Sequence, residues 1–306
     1  MYTVVVPTFN RQHLLSGALE SLLAQETRFA YEIIVVDNNS SDGTRSLVEG
    51  LQKKAQRLRY VFERQPGLSA ARNAGIAAAH GTVIAFVDDD VVAHPSWLQA
   101  LADTFQTYPD AWWVGGKVTL GFQSAVPAWF DADAKILTTY LSGQDHGDDT
   151  LRLDAPVIGA NLSVRRDVLG AVGVFDTDLG RSGMTLAGDE DTEFCARILQ
   201  AGGAIYYCGR AVVVHLVPAA RLTKRWFLER AFWEGRTQGL RQRRRGIRPP
   251  LKDEGVILVK DIAKALWCYG TGDMRRAILH DVAARKRLGL LCQTWGVRAP
   301  RPGGSA

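Results

Sequence analysis

Residues Val83–Asp90 read VIAFVDDD, five apolar residues followed directly by three acids. The apolar part is short and lacks the alternation of a half-exposed strand, which is typical of a strand buried on both faces of a parallel sheet. Two earlier runs, Val4–Val6 and Ile33–Val36, have the same character. Helical stretches separate the three runs, and this alternation predicts an α/β fold with a mostly parallel, Rossmann-like sheet flanked by helices.

The stretches between the apolar runs carry helical signals. We expect helices over Arg11–Gln25, Thr44–Arg57 and Ser69–His80, because apolar residues recur at helical spacing or a small polar residue precedes the stretch. Asn10 is the expected N-cap of the first helix, and Ser69 is the expected N-cap of the third.

All three predicted strands end on polar residues. The first runs into Pro7–Asn10, the second into Asp37–Thr44 and the third into Asp88–Asp90. In open parallel sheets, ligands bind outside the carboxyl ends of the strands. The three polar endings therefore predict one shared binding site.

Three adjacent carboxylates at Asp88, Asp89 and Asp90 repel one another, at a cost of about 4 kcal/mol for two like charges about 4 Å apart near a protein surface. Hard divalent cations such as Mg²⁺ and Mn²⁺ prefer oxygen ligands and often join carboxylates to phosphates. On an extended strand, Asp88 and Asp90 point the same way and Asp89 the opposite way. We therefore predict a metal on one carboxylate and a ribose hydroxyl on another. A solvated acidic turn is the alternative interpretation.

Other nucleotide motifs are absent from the sequence. No G-x-G-x-x-G turn follows a strand, and Gly116–Lys117 precedes Val118 instead of Ser or Thr, which excludes a P-loop. The four cysteines form no C-x-x-C pair, so we expect idle thiols of a reducing, cytoplasmic compartment instead of a zinc site.

Four motifs together resemble the family 2 glycosyltransferases of the GT-A fold. The resemblance covers residues 1–120 closely and extends more loosely to about residue 235. The motifs are VVPTFNR at Val5–Arg11, the run Val35–Thr44, GLSAARN at Gly67–Asn73 and FVDDD at Phe86–Asp90.

The resemblance implies an inverting enzyme that uses a nucleotide-diphosphate sugar, with UDP expected as the nucleotide, and a divalent metal, Mn²⁺ or Mg²⁺. Asp88 and Asp90 would form the D-x-D pair, with Asp90 as the favoured metal ligand and His215 as a further one. A structural role is the alternative for His215. The residues implied in donor binding are Pro7, Thr8, Asn10, Arg11, Asp37, Asn39, Arg72, Asp88 and Asp89.

The family's Glu–Asp pair matches Glu190 and Asp191. The resemblance implies that Asp191 is the general base that deprotonates the acceptor hydroxyl, with Glu190 as the second choice. Neighbouring acids would raise the pKa of this base. The alternative is that these acids only stabilise the N-terminus of a helix. Gly159–Asn161 match a region that borders the donor sugar and the acceptor.

The charge divides the chain in two. Residues 216–306 carry 20 Lys and Arg against 7 Asp and Glu, a net +13, whereas residues 1–215 carry a net −8. We predict a catalytic domain over 1–215 and a basic helical extension over 216–306, whose last residues, 300–306, are expected to be disordered. No stretch reaches the length and hydrophobicity of a transmembrane helix, and the start does not read as a signal peptide.

The basic extension allows two interpretations. Its segment Met274–Trp295 mixes Leu and Ile with Arg and Lys, which is typical of a helix that contacts an anionic membrane and would suit a lipid-linked acceptor. The alternative is a helical cap with a solvated basic face. Nucleic acid is not an expected partner, because the body of the chain is acidic.

The sequence leaves two other functions open. A sugar-phosphate nucleotidyltransferase would need a Gly-rich loop after the first strand, where Pro7–Asn10 stands instead. A non-catalytic carbohydrate- or nucleotide-binding module would not need Asp88, Asp90 and Asp191. A glycosyltransferase acting on a glycan or lipid-linked acceptor fits the residues best.

Overall fold

A mixed, mostly parallel sheet organises the computed structural model, which describes residues 1–181 and 185–296. Within these residues the strands are β1 (Tyr2–Thr8), β2 (Tyr31–Asp37), β3 (Leu58–Phe62), β4 (Val83–Val87), β5 (Val91–Ala93), β6 (Ala111–Phe122), β7 (Thr150–Leu153), β8 (Asn161–Arg165) and β9 (Ala204–Val217). Their order is β3-β2-β1-β4-β8-β6-β9-β5, and β7 pairs with β9. The strands β1, β2, β3 and β4 pair in parallel, as does β6 with β9, whereas β5, β7 and β8 are antiparallel to their neighbours. The predicted α/β architecture is confirmed.

Helices flank and follow the sheet. They are α1 (Gln12–Leu23), α2 (Thr44–Gln52), α3 (Leu68–Ala78), α4 (Trp97–Thr107), α5 (Lys135–Tyr140), α6 (Leu169–Val172), α7 (Glu190–Gln200), α8 (Lys224–Arg244), α9 (Leu251–Thr271) and α10 (Met274–Trp295). The predicted second helix, Thr44–Arg57, is too long, since α2 ends at Gln52. The edge strand β3 follows it, and the mixed burial of β3 explains why the sequence pattern does not indicate a strand there.

Both predicted N-caps are wrong. Asn10 has a φ of 52°, and α1 begins two residues later, where the N–H of Gln12 donates to Asp42 Oδ2 at 3.0 Å. Ser69 lies inside α3 and donates its hydroxyl to the Leu179 carbonyl at 2.7 Å. At the start of α3 the Leu68 N–H donates to the Arg181 carbonyl at 2.9 Å, so at both helices an acceptor from a distant segment replaces the local cap.

The three predicted strands are buried on both faces, as their sequences indicate. Val4 and Val6 of β1 pack on one face of the sheet with Leu15 and Leu19 of α1. Val5 faces the other side, among residues from α3 and α7. Two hydrophobic cores therefore hold β1 between helical layers, and they fix the position of the polar residues at its carboxyl end.

The chain forms two compact units. The first comprises Met1–Gln123, Leu141–Gly183 and Glu190–Val217, and it contains the whole sheet. The second comprises Ser124–Tyr140, Met184–Asp189 and Pro218–Ala306. The predicted disordered end, residues 300–306, lies outside the described residues.

The second unit is built around α8 and α10. Gly235 of α8 and Gly289 of α10 sit where an added Cβ would collide with the backbone of the facing helix, so these glycines allow the two helices to approach closely. Ile278, Val282 and Leu290 of α10 are buried. The interpretation that α10 offers these apolar residues to a membrane is therefore not supported, and the alternative of a packed helix agrees with the structure. Among the described residues, no helix is long and apolar enough to cross a bilayer.

Glu32 of β2 joins several segments of the first unit at the amino end of the sheet. Its carboxylate accepts hydrogen bonds from the Thr3 hydroxyl at 2.8 Å, the His80 N–H at 2.7 Å and the Arg59 guanidinium at 2.7 Å. Burial by itself raises the pKa of Glu32, but the bonds from His80, Arg59 and Thr3 outweigh it and lower this pKa below its usual range.

We expect Glu32→Gln to lower the free energy of unfolding at pH 7 by about 1–2 kcal/mol, since charged hydrogen bonds are lost and Arg59 is partly screened by solvent. A lowered folded-state pKa stabilises the protein above the unfolded carboxyl pKa, and this contribution is lost as the pH falls through the folded value. The difference in free energy of unfolding between the original chain and Glu32→Gln, measured by urea denaturation, should therefore shrink as the pH falls below about 4. Glu49→Gln, which changes an exposed acid paired with Arg45, is the control. A pH-independent difference would contradict this account.

Candidate active site

Three acids follow β4 in a tight turn that leads into β5. Asp89 and Asp90 both contact Arg11, whereas Asp88 lies beside Arg72. The prediction that Asp88 and Asp90 point the same way is wrong, because the strand ends before these residues and the alternation of an extended chain no longer applies.

Arg11 holds two of these acids at the carboxyl end of β1. Its Nη1 lies 2.9 Å from Asp89 Oδ1 and 3.0 Å from Asp90 Oδ2. Thr8 donates its hydroxyl to Asp89 Oδ2 at 2.7 Å, and His215 Nε2 lies 3.2 Å from Asp90 Oδ1. Burial raises the pKa of Asp89, with Arg11 opposing and Asp90 adding to the rise. The predicted residues Thr8, Arg11, Asp89, Asp90 and His215 thus form one cluster.

Arg72 is the centre of a second, adjoining cluster, and only 1% of its surface is exposed. Its Nη1 donates to Glu190 Oε1 at 2.8 Å, and its Nη2 donates to the Gly159 carbonyl at 3.2 Å. The same Nη2 lies 3.6 Å from Asp88 Oδ1, and the guanidinium stacks over the Phe175 ring at 5.3 Å from its centroid. Arg72 therefore connects the turn after β4 to the start of α7.

Glu190 and Asp191 open α7 in different surroundings. Burial raises the pKa of Glu190, the charge of Asp191 raises it further, and Arg72 opposes the rise. Asp191 is only half-buried; its Oδ2 accepts the Gly159 N–H at 2.9 Å and its Oδ1 accepts the Thr192 N–H at 2.7 Å. Asp191 thus keeps access to solvent, whereas Glu190 is committed to its internal ion pair.

The backbone of Gly159 lies between Arg72 and Asp191. Its carbonyl accepts from Arg72 and its N–H donates to Asp191. A Cβ at this position would lie 2.8 Å from Arg72 Nη2 and 3.1 Å from Asp191 Oδ2, so glycine leaves room for both contacts. Nearby Asn161 uses its side chain to bond Trp97, Lys117 and Ala211. The sequence marks this segment, but not the linking role of its glycine.

Asp37 ends β2 directly beside Thr8 in the parallel register. Its Oδ1 accepts the Ser40 N–H at 2.8 Å, and its Oδ2 accepts the Tyr60 hydroxyl at 2.8 Å. Burial, with the bond to Asp37, raises the pKa of Tyr60 to about 12. Sequence reasoning missed Tyr60 because it did not predict β3, the strand that brings this hydroxyl to the site.

The remaining predicted donor-binding residues lie at the same edge of the sheet. Pro7 is buried within β1, whereas Asn10 and Asn39 are exposed and have φ values of 52° and 68°. The N–H of Asn10 donates to the Ser40 hydroxyl at 2.9 Å, and its Oδ1 accepts the Ser41 N–H at 2.7 Å. These bonds tie the loop after β1 to the loop after β2.

Around the turn after β4 and the start of α7, the described acids outnumber the described arginines. They are Asp88, Asp89, Asp90, Glu190 and Asp191, against Arg11, Arg72 and the nearby Arg181. Residues 1–181 and 185–296 contain no group of three or more His, Cys, Asp or Glu side chains placed to hold a metal ion. Mg²⁺ and Mn²⁺ often take only one or two protein ligands beside substrate phosphates. The adjacent oxygen and nitrogen of Asp90 and His215, in an acidic setting, therefore fit such a cation.

Comparison with known proteins identifies the family. The model of glycosyl transferase family 2 matches residues 3–167, more than half of the chain. The chain belongs to glycosyl transferase family 2. The turn after β4 and the ends of β1 and β2 all lie inside the matched segment, whereas α7 with its Glu–Asp pair lies beyond it.

Relatives of this family 2 glycosyltransferase extend the match over most of the chain. The chain is 31% identical over 300 residues to the succinoglycan biosynthesis protein ExoM of Rhizobium meliloti. This alignment covers 93% of this chain and 92% of the relative. The chain is also 31% identical over 238 residues to the glucosyl-dolichyl phosphate glucuronosyltransferase of Haloferax volcanii, covering 76% of this chain and 74% of the relative.

Solved structures confirm the GT-A fold of this family 2 glycosyltransferase. The mannosyltransferase PcManGT from Pyrobaculum calidifontis, solved with GDP-Man and Mn²⁺, aligns over 97% of this chain and 88% of that chain with a TM-score of 0.64. At 21% identity this likeness establishes the fold alone. Because the chain belongs to glycosyl transferase family 2, glycosyl transfer replaces the nucleotidyltransferase and the non-catalytic module that the sequence leaves open.

We expect Arg72→Met to lower the free energy of unfolding by about 3–5 kcal/mol, because Glu190 would stay buried without its cation. The double variant Arg72→Met with Glu190→Met should lose clearly less free energy of unfolding than the sum of the losses in the two single variants. Urea denaturation measures these differences. Arg45→Met breaks an exposed pair with Glu49 and should leave the denaturation midpoint unchanged. Strict additivity of the two buried substitutions would show that Arg72 and Glu190 do not stabilise each other.

Proposed function

We propose that this glycosyltransferase is an inverting, metal-assisted enzyme that transfers a sugar from a UDP-sugar to a hydroxyl of a lipid-linked or glycan acceptor. The observation that carries the proposal is the continuous set of contacts from Asp191 through Gly159 and Arg72 to Asp88. This set joins a solvent-accessible carboxylate to the acids at the carboxyl end of β4. A base and a diphosphate site are thereby held in one rigid frame.

Asp191 is the proposed general base. It takes the proton of the acceptor hydroxyl while that oxygen attacks the anomeric carbon. The bond from this carbon to the diphosphate oxygen breaks on the opposite face, so the configuration inverts and the nucleoside diphosphate leaves. The Gly159 and Thr192 N–H groups orient the Asp191 carboxylate. Glu190 is assigned a positioning role, because its carboxylate is buried against Arg72.

Asp90 and His215 are the proposed ligands of the divalent cation, with Asp88 close by. When bound, Mn²⁺ or Mg²⁺ would supply positive charge that stabilises the departing diphosphate. Arg11 is the proposed phosphate contact from the protein, since 34% of its side chain is exposed and it lies on Asp89 and Asp90. Buried Arg72 is assigned to positioning the acids, rather than to direct contact with the diphosphate.

Asp37 and Thr8 are the proposed contacts for the base and ribose of the nucleotide. They end neighbouring strands, and the Tyr60 hydroxyl and Ser40 N–H orient the Asp37 carboxylate. UDP is the preferred nucleotide of the proposal. GDP is the second candidate, because the structural neighbour from Pyrobaculum calidifontis was solved with GDP-Man.

The names of relatives support a role in polymer or lipid-linked sugar synthesis. One relative is a succinoglycan biosynthesis protein, and another is named as a glucuronosyltransferase of glucosyl-dolichyl phosphate. A hydroxyl of a sugar already carried on a polyprenyl phosphate is therefore the acceptor that we propose.

We expect Asp191→Asn to lower kcat by about 10²–10⁴-fold with little change in the donor KM, because the amide accepts no proton from the acceptor. Turnover of the donor is measured by release of nucleoside diphosphate. Glu193→Gln, in the same first turn of α7, removes an acid paired with Arg197 and is the matched control. Full activity of Asp191→Asn would exclude this residue as the base.

We expect UDP with Mn²⁺ to raise the melting temperature more than GDP, dTDP or CDP in a thermal-shift panel run with and without the metal. A ligand at about 100 times its Kd stabilises the folded protein by about 2.7 kcal/mol. Asp90→Asn should remove the Mn²⁺-dependent part of the shift, whereas Asp103→Asn, which changes a partly exposed acid paired with Arg28, should keep it. A metal-dependent shift that survives in Asp90→Asn would refute the proposed ligand.

A further inference from the structure

Helix α9 of the second unit has apolar residues on two opposite faces. On the inner face, Ala265 and Cys268 are 2% and 3% exposed. On the outer face, Val259, Leu266 and Trp267 are 65%, 66% and 67% exposed. A helix of a water-soluble unit normally carries charged or polar residues on its outer face, so this second apolar face calls for a partner.

The outer residues form a stripe with helical periodicity. Val256, Val259, Ala263 and Trp267 follow one another at spacings of three and four, and Leu266 borders them. All five are exposed. The stripe spans about 16 Å along the helix, at about 1.5 Å per residue. We call these five residues the α9 stripe.

Two of the three acids of α9 lie on its inner side, whereas the third, Asp253, is exposed near the start of the helix. Glu254 and Asp261 are turned inward, where both contact Arg287 of α10. Lys260 and Lys264 are exposed on the solvent side, one turn apart beside the stripe. The helix as a whole carries as many acids as lysines, but its outer face is predominantly basic.

We propose that the α9 stripe lies on an anionic lipid bilayer, with Trp267, Leu266 and Val259 in the interfacial region and the two lysines at the headgroups. An exposed apolar stripe flanked by lysines is the pattern of a helix that lies in the plane of a membrane surface. The contact is the α9 stripe and not the apolar residues of α10, which one interpretation of the sequence assigns to a membrane. The purpose of this contact rests on the proposed lipid-linked acceptor, since docking would bring the enzyme to the surface that holds it.

Arginines in the segment before α9 add to the positive charge of Lys260 and Lys264. The segment 241–248, which leads into α9, contains five arginines. At the start of α9 the apolar residues Ile247 and Leu251 are exposed. A second copy of this chain fits the stripe less well, because a symmetric pair would bring the lysines of both copies together. Anionic lipid headgroups instead complement this charge.

The test is co-sedimentation of the full chain with vesicles of phosphatidylcholine alone and with added phosphatidylglycerol. We expect binding to the anionic vesicles at low salt, and its loss at high salt. Val259→Ser combined with Leu266→Ser and Trp267→Ser should weaken binding at least about tenfold. Lys260→Gln combined with Lys264→Gln should weaken it about 30-fold on anionic vesicles only.

Controls separate this inference from the proposed function. Val126→Ser combined with Val174→Ser changes two exposed apolar residues that are not part of α9 and should bind vesicles as the original chain does. The nucleotide-induced thermal shift should be the same in all variants, because α9 carries no proposed active-site residue. Equal vesicle binding by the stripe variant, or no binding by the original chain, would overturn the inference. A stripe variant that instead converts a dimer to a monomer in light scattering would assign the stripe to a second copy.

Discussion

The concentration of negative charge at the carboxyl ends of β1, β2 and β4 is the constraint on which this site depends. Arg11 and Arg72 neutralise part of this charge in different ways. Arg11 is partly exposed and covers Asp89 and Asp90, where a phosphate group could compete for it. Arg72 is buried and holds Glu190 beside Asp88, so its contacts are structural. One arginine can respond to a ligand, while the other fixes the frame that a ligand enters.

The Gly159 peptide connects this frame to Asp191, the proposed general base. Because its carbonyl accepts from Arg72 and its N–H donates to Asp191, the direction of the Asp191 carboxylate depends on the same arginine that contacts the acids after β4. A general base is effective only when its orientation is fixed before the reaction. The proposed division of labour between Glu190 and Asp191 follows from burial: one carboxylate is enclosed with a cation, and the other reaches solvent.

In the second unit, the charges of α9 are divided between helix packing and the solvent. The inward acids of α9 neutralise Arg287, and the outward lysines remain in solvent beside the α9 stripe. In the same unit, α10 buries Ile278, Val282 and Leu290. The net charge of residues 216–306 therefore does not identify the surface that meets a partner. Exposure of individual side chains does, because only the residues left outside the helix packing are available for contact.

The sequence by itself determined the α/β sheet, the shared edge and the family. Apolar runs such as Val83–Val87 signal buried strands locally, and polar residues directly after such runs must collect at one edge of a parallel sheet. Only the tertiary structure decided how those residues are paired: Asp88 with Arg72, Asp90 with His215, and Asp37 with Tyr60. It also decided that α9 and not α10 stays exposed. The physical reason is that strand character follows from neighbouring residues, whereas ion pairs and exposure are set by segments distant in sequence.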